Sequence, residues 1–442
     1  MSRLTGLKLA FGLGLGLQAT WSFASGFALI EQSASGQGLS YAGAAANAED
    51  ASVMWFNPAG LALIKGDQLV GAMHIIKPQL AFSDGGSYSS SAVPGVGGLL
   101  ELLGVAGGPV SGSGDDGATL AVVPNFYWKK NLGPVDIGFG LNVPYGSHLV
   151  YKDNWVGRYQ AVETDLKTIN LNPAIAARLT PWLAFGAGAN VQYVDLVMTQ
   201  KMDNNLLLNG GAADGDADLT ADSLGYGYNL GFMLMPTDST TIGLSYRSKV
   251  EHNAKGKIKY SGITDPLYSM VNVQNGTVNA ASDVSLPATA MFSIKQEVGS
   301  KLAFLADATW TKWTDYDELV ISFDSGQEDL NSRQSFQDSW RYSVGAIYKA
   351  TSNLTLRSGV AIDHSPVTAP ENRSPRTPDS ERRWVSIGMG YRFIKSMQLD
   401  MAYSHLIGED ADVDYTTDDI HYLVGEYKAT VDIFSAQLVW NY

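Results

Sequence analysis

Along much of the chain the apolar residues fall on every second position. In "VDIFSAQLVWNY" (431–442), Phe434, Ala436, Leu438, Trp440 and Tyr442 form one set, while Ser435, Gln437 and Asn441 belong to the other. A period of two puts these sets on opposite faces of a β-strand. "WVSIGMGYRF" (384–393) alternates in the same way, with Val385, Ile387, Met389 and Tyr391 set against Ser386, Gly388, Gly390 and Arg392. So do "MQLDMAYSH" (397–405), "WRYSVGAIYK" (340–349) and "LAFLADATWTKW" (302–313). A soluble sandwich with one wet face would also alternate, but two features favour a membrane barrel. The polar sets carry Asp307, Arg341, Arg392 and Asp400 in mid-strand, where a dry core would not take them unpaired. The apolar sets carry aromatics near strand ends, as a belt at the lipid interface does.

The connections alternate in length. Short polar turns fall at 129–134, 179–181, 236–239, 298–300, 351–353 and 394–396, separated by longer stretches rich in Gly, Ser, Asp and Asn. Six short turns and seven long loops predict about fourteen strands, starting near residues 66, 118, 134, 163, 182, 219, 240, 280, 301, 335, 354, 382, 397 and 426. Closing the last strand on the first removes the sheet edge that lipid does not tolerate. The expected fold is all-β: a transmembrane antiparallel β-barrel over residues 66–442. Ahead of it, residues 25–65 are rich in Ala, Gly and Ser and lack a strand period, yet carry Trp55, Phe56, Leu61, Leu63 and Ile64. So much apolar surface does not stay solvated, and this segment is expected to fold as an N-terminal hatch inside the lumen.

Residues 1–24 read as a signal peptide: Arg3 and Lys8, then the apolar "LAFGLGLGLQATW", then small residues at Ser22 and Ala24. The apolar run is short against the ~20 residues of a spanning helix, and no later stretch reaches even about 18. The net charge is −14, so the basic footprint of a nucleic-acid binder is missing. There is no cysteine, hence no disulfide framework and no thiolate metal site. The six histidines have no paired ligand spacing. "DGDAD" (214–218) resembles half a calcium loop without its distal Glu and is expected in a solvated outer loop. No G-x-S-x-G nucleophile elbow occurs. No enzyme activity, metal or cofactor is expected.

Four stretches carry a family resemblance. "SGFALIEQSASGQGLSYAG" follows the signal peptide; "FNPAG" holds Asn57, Pro58 and Ala59; "LSYRSKV" spans 244–250; and "DHSPV…NRS…PD…RRW" runs from Asp363 to Trp384. In this order they resemble the FadL/TodX family of outer-membrane transporters across nearly the whole mature chain. The resemblance implies a fourteen-stranded barrel with a hatch, importing long-chain fatty acids or other hydrophobic molecules through the outer membrane of a Gram-negative bacterium. The implied partners are the hydrophobic ligand (fatty acid, alkane or aromatic), outer-membrane lipid and lipopolysaccharide, and the barrel-assembly machinery that engages the C-terminal aromatic strand. The chain is expected to act as a monomer.

A hydrocarbon crossing a wet pore would lose about 0.8 kcal/mol for each CH₂ returned to water, so an apolar path leaving sideways into the bilayer is favoured. "FGLNVPYGSHL" supplies a break for such an exit: Pro144 has no N–H for the ladder, and Gly146, beyond Tyr145, favours a bend. The family's kinked third strand implies a lateral opening here. Pro58 fixes its own backbone and biases Asn57 away from helix, so Asn57-Pro58-Ala59 is expected to form a rigid turn that seats the hatch against the wall. Ligand binding is expected to shift the arm 25–35. In the first outer loop Leu99, Leu100, Leu102 and Leu103 form a candidate capture surface, and 204–211 a smaller one. A carboxylate ligand wants a cation. The two basic residues of fatty-acid members align with Gln200, beside Lys201, and with Val320, which favours a neutral or aromatic substrate. Lys201, Arg158, Arg247, Arg341 and Arg392 remain candidate headgroup contacts, each with a lumen ion pair as its alternative. The rival function is a general diffusion porin for small polar solutes, which would have no hatch.

Overall fold

The computed structural model describes residues 26–90, 107–206, 211–316 and 318–442. Fourteen antiparallel strands close into a barrel. They are β1 (Gln68–Asp84), β2 (Ala121–Asn131), β3 in two pieces (Asp136–Asn142 and Gly146–Val150), β4 (Glu163–Thr180), β5 (Leu183–Met202) and β6 (Gly215–Thr237). Then follow β7 in two pieces (Thr240–Arg247 and Val250–Ser261), β8 in two pieces (Gly276–Leu286 and Thr289–Val298), β9 (Leu302–Thr311) and β10 (Ser339–Lys349). The last four are β11 (Leu354–Asp363), β12 (Arg382–Ile394), β13 (Met397–Gly408) and β14 (His421–Asn441). β14 closes on β1 from Gln68↔Asn441 to Asp84↔Gly425, so neither strand leaves an unpaired edge in lipid.

The period-two pattern sorts as lipid requires. On β12 Val385, Ile387 and Tyr391 point outward and are exposed, while Ser386 is buried in the bore; on β14 Phe434 and Leu438 face out and Ser435 and Gln437 face in. The aromatic lip at the chain end is built in: the Trp128 indole N–H donates to the Tyr442 hydroxyl at 2.8 Å. The observed strand starts depart most from expectation at β6, β8, β10 and β14, which begin at 215, 276, 339 and 421 rather than 219, 280, 335 and 426. Three of these strands start earlier because their ladders continue into the outer loops, where buried apolar clusters such as Leu219, Ile258 and Tyr260, or Val413, Leu423 and Tyr427, pack over them. Asp216 thus lies on β6 opposite Lys201, not in a loop, and the ladder puts Asp218 on the same strand. Two breaks beyond the expected one in β3 also appear, at Ser248–Lys249 in β7 and Pro287–Ala288 in β8. Pro287 was a readable signal, since proline cannot complete a central ladder.

Residues 26–65 fold inside the bore. Ser33 caps the short helix Ala34–Gln37 by accepting from the Gly36 N–H, a second short helix covers Val53–Phe56, and a 3-10 helix runs from Pro58 to Leu63. Polar contacts to the wall dominate. Arg357 of β11 bridges Glu49 of the hatch (3.0 Å) and Asp400 of β13 (2.9 Å). The Gln37 amide donates to the Ile433 carbonyl at 3.0 Å, and Gln437 donates to Asp50 at 2.8 Å. Where hatch backbone meets wall backbone, the wall is glycine. A Cβ on Gly243 would lie 2.0 Å from the Ala45 carbonyl oxygen, and one on Gly231 would lie 1.9 Å from Asn57 Oδ1.

Candidate functional site

Three cavities follow one another through the bore. The outermost, about 340 Å³, opens among the loops and is lined by Met198, Leu219, Tyr260, Lys201, Arg376 and His421. The second, about 160 Å³, is largely apolar, with Leu166, Val194, Leu196 and Leu286 in its wall. Gln200 and Arg376 line both cavities, so they sit where the two meet. The third, about 120 Å³, is bordered by hatch residues Ala28 to Ile30 and Trp55, by Pro144 and Tyr145 of the β3 break, and by Arg247 and Arg341.

Arg376 arrives on the long loop between β11 and β12. Its guanidinium donates to the Glu163 carbonyl (2.9 Å), Thr164 Oγ1 (3.1 Å), the Thr199 carbonyl (3.1 Å) and Gln200 Oε1 (3.0 Å). Every partner is a neutral oxygen, and among the described residues no carboxylate pairs with it. Burial draws its pKa down to about 10, which leaves it charged at neutral pH. A desolvated cation facing an apolar cavity is the arrangement that recognises a carboxylate on a hydrocarbon tail. Sequence reasoning passed over Arg376, although it lies within the quoted stretch between Arg373 and Pro378. At Gln200, the position expected to have lost a cation, the side-chain carbonyl accepts from the Arg376 guanidinium. Val320, the other aligned position, lies on the short strand Glu318–Phe323, and its neighbours Leu319 and Ile321 line the second cavity.

Phe27 of the hatch arm lines the second cavity, and the residues after it, Ala28 to Ile30, line the third. The Phe27 ring packs against Trp313 and Tyr316, each 5.1 Å between centroids, and against Tyr145 at 5.8 Å. The arm is stitched to the β3 break as a short extra strand. Leu29 N–H donates to the Pro144 carbonyl (2.8 Å), Gly146 N–H to the Phe27 carbonyl (2.9 Å), and the Gln32 amide to the Val143 carbonyl (2.9 Å). On its other side the break leaves a gap in the wall. β2 pairs with β3 only from Phe126↔Leu141 to Asn131↔Asp136. Beyond that, Val143 N–H reaches the Asn125 side chain at 3.4 Å, and the next backbone pairing is the isolated bridge Ala118↔Leu149. Pro144, Tyr145 and Gly146 thus lie at the break, between the third cavity and this gap.

Asn57, Pro58 and Ala59 form a buried turn. Asn57 is extended (φ −151°, ψ 106°), as a residue before proline prefers. Its Oδ1 accepts from Ala59 N–H at 3.0 Å, and its Nδ2 donates to the carbonyls of Ala45 (2.8 Å) and Phe232 (2.9 Å). One side chain therefore caps the following helix, ties the hatch to itself and bonds it to β6.

The remaining candidates separate by place. Arg158 is a loop clamp: it pairs with Asp214 at 2.7 Å and donates to the Ser111 carbonyl (2.6 Å) and the Tyr159 hydroxyl (2.8 Å). Lys201 borders the outermost cavity but is held by Asp216 (2.7 Å) and Asp153 (3.1 Å). Arg341 borders the third cavity, donates to the Ser40 carbonyl of the hatch (2.9 Å) and stands 4.9 Å above the Trp384 ring. Arg392 does not belong to the site: it is exposed at the far end of β12, beside the short turn to β13, because the polar register of that strand runs out of the barrel there. Leu99, Leu100, Leu102 and Leu103 lie outside the described residues, as do 207–210 of the smaller loop candidate and residues 1–25. On the outer face of β3 and β4 the fold brings His148, Glu163 and Asp165 within 4.8 Å of one another, a grouping invisible in sequence spacing; Lys167 already occupies Asp165.

Comparison with known proteins agrees with this architecture. Residues 15–442 match the family model described as "Outer membrane protein transport protein (OMPP1/FadL/TodX)". The chain is 29% identical to the long-chain fatty acid transport protein of Escherichia coli O6:H1, covering 91% of each chain. It is 28% identical to outer membrane protein P1 of Haemophilus influenzae, covering 89% of this chain and 88% of that one. Among solved structures, a Pseudomonas aeruginosa FadL homologue superposes with a TM-score of 0.83 at 22% identity, over 94% of this chain and 99% of the other. The P. putida toluene transporter TodX superposes with a TM-score of 0.66 at 17% identity, over 92% and 98%; at these identities both likenesses concern the fold.

Proposed function

The chain belongs to the OMPP1/FadL/TodX family of outer-membrane transport proteins, and from that premise we propose that it imports hydrophobic molecules by passive, stepwise transfer through the bore and out through the wall. Long-chain fatty acids are the leading cargo, as in the E. coli relative's name; the aromatic hydrocarbons named for TodX are the alternative. The cargo enters among the outer loops and settles in the second cavity, tail against Leu166, Val194 and Leu286, carboxylate on Arg376. The arm carrying Phe27 then moves, joining the second and third cavities. The molecule leaves between β2 and the break in β3, passing Pro144 and Tyr145, and never crosses the hatch. A sideways exit keeps the hydrocarbon out of water, where each CH₂ would cost about 0.8 kcal/mol.

The observation that carries this reading is the position of the hatch arm, where Phe27 lines an apolar cavity that holds Arg376 and the next residue, Ala28, lines a cavity bordering a gap in the wall. A general porin would need a continuous wet bore, which the buried hatch and its ion pairs to β11 occupy. The test is to lock the arm. The chain has no cysteine, so Ala28→Cys with Tyr145→Cys, which face each other in an isolated bridge, gives one defined disulfide. Uptake of oleate should stop when the bond forms and recover on reduction. Equal uptake in both states would overturn the arm movement and the route with it.

A further inference from the structure

Arg247 is a part-buried cation whose guanidinium bonds only to neutral acceptors among the described residues. It ends the first piece of β7 and borders the third cavity. One amino group donates to Asn190 Oδ1, the other to the Trp55 carbonyl of the hatch at 2.6 Å, and the guanidinium lies flat over the Trp55 ring, 3.7 Å from its centroid. Both acceptors are neutral, and among the described residues no carboxylate pairs with it. The other charged groups of this cavity, Arg341 and Asp363, are ladder partners across β10 and β11; Asp363 stands 3.5 Å from Arg382, and Arg341 donates to the Ser40 carbonyl of the hatch. Asn190 is itself fixed, accepting from Asn170 at 3.1 Å and donating to Asn229 at 3.3 Å. Amides from three neighbouring strands thus hold the guanidinium in one orientation, with part of its donor fork turned to the cavity. A desolvated guanidinium so oriented is built for a planar oxyanion.

We infer that the third cavity is a second carboxylate station, in which Arg247 takes the headgroup of an anionic amphiphile after Arg376 releases it and before the molecule leaves by the β3 break. This rests on the import reading above and deepens it. A cation in each of the two cavities selects cargo that carries a carboxylate, whereas a neutral hydrocarbon would gain nothing from either. The second station also removes the penalty of drawing a charged headgroup off Arg376 into an apolar passage, because a new ion pair replaces the old one within the same low-dielectric interior.

The test compares oleate with oleyl alcohol, which share a tail and differ in charge. Uptake into proteoliposomes is measured for the wild type, Arg247→Met and Arg247→Lys, with heat-modifiable mobility confirming that each barrel is folded. In Arg247→Met, oleate uptake should fall at least about tenfold, the scale of one lost charge-assisted contact, while oleyl alcohol uptake stays within about twofold and equilibrium binding of oleate at Arg376 is unchanged. Arg247→Lys should recover part of the loss, since it restores charge without the fork. A parallel fall for acid and alcohol would overturn the inference, because it would make Arg247 an anchor for the hatch through Trp55. Unchanged uptake of both would overturn it equally. Transport of neither compound by the wild type would overturn the import reading itself, and this inference with it.

Discussion

Replacing Asn57 with alanine isolates the physical link between the hatch and the wall. The substitution orphans two buried backbone groups: the Ala59 N–H, which loses Oδ1, and the Ala45 carbonyl, which loses Nδ2. Each unsatisfied buried group costs about 1–3 kcal/mol. Both sit where wall and hatch backbones touch, against Gly231 and Gly243, so water replaces the lost partners poorly. The seated hatch should therefore lose roughly 2–6 kcal/mol, and since ~1.4 kcal/mol is tenfold, its opening equilibrium should rise by a factor of about 30 or more. Hydrogen exchange on a peptide covering 57–63 reads this directly as lost protection, and planar-bilayer recordings should gain brief openings. The barrel itself, closed by its own ladders, should keep its thermal stability.

A second variant divides the two roles of the side chain. Serine is also a good helix cap, so Asn57→Ser should recover protection at Ala59 but not the bond to Ala45 or Phe232. Exchange in that variant should fall between Asn57→Ala and the wild type, and the brief openings should persist at a lower frequency. Protection within about twofold of wild type in Asn57→Ala, together with unchanged conductance, would refute the reasoning: the hatch would then be held by Arg357 and the glutamine contacts alone.

Three further outcomes are expected. Arg376→Met should weaken oleate binding by about ten- to a hundredfold and leave oleyl alcohol binding unchanged, as measured by calorimetry; equal losses for both would mean that Arg376 only braces its loop. Glu31, in the hatch arm, has both carboxylate oxygens buried without a partner, and burial raises its pKa from 4.5 to about 7 against the opposing pull of its backbone contact, Arg341 and Arg382. The seated arm then binds a proton more tightly than the released one. Its stability should be fully present below about pH 4.5 and lost as the pH rises through about 7, a fall of roughly 3 kcal/mol, and Glu31→Gln should flatten that slope in exchange measurements on residues 27–35. Gly243→Ala, whose methyl would strike the Ala45 carbonyl, should open the pore in bilayer recordings, whereas Gly71→Ala, which meets nothing within 4 Å, should not.

The barrel was legible because lipid imposes a rule that reads straight off the chain. Outward residues must be apolar and inward ones polar, so period two alone placed the strands, and short turns fixed their pairing order. The misjudged strand ends lie largely beyond the bilayer, where that rule lapses: Asp216 on β6 and Gly276 on β8 belong to ladders that continue into the outer loops. The break in β3 was legible through Pro144 because proline acts locally. The break at Ser248–Lys249 carries no such residue; it follows from how the two pieces of β7 meet β6 and β8.

The site was less legible because electrostatics depends on distance in space and not on position along the chain. Read by alignment, Gln200 and Val320 meant that the cations of the fatty-acid relatives had been lost. In the fold Arg376 enters from a loop more than a hundred residues downstream and bonds to Gln200 itself. The same logic bears on Arg158 and Lys201, both near the mouth. Each has a carboxylate within 3 Å, so its charge is already answered. Among the described residues Arg376 and Arg247 bond only to neutral oxygens. In an acidic chain of net charge −14, two part-buried guanidiniums that meet only neutral oxygens among the described residues are the places where, on the proposed route, an anionic ligand would supply the opposing charge.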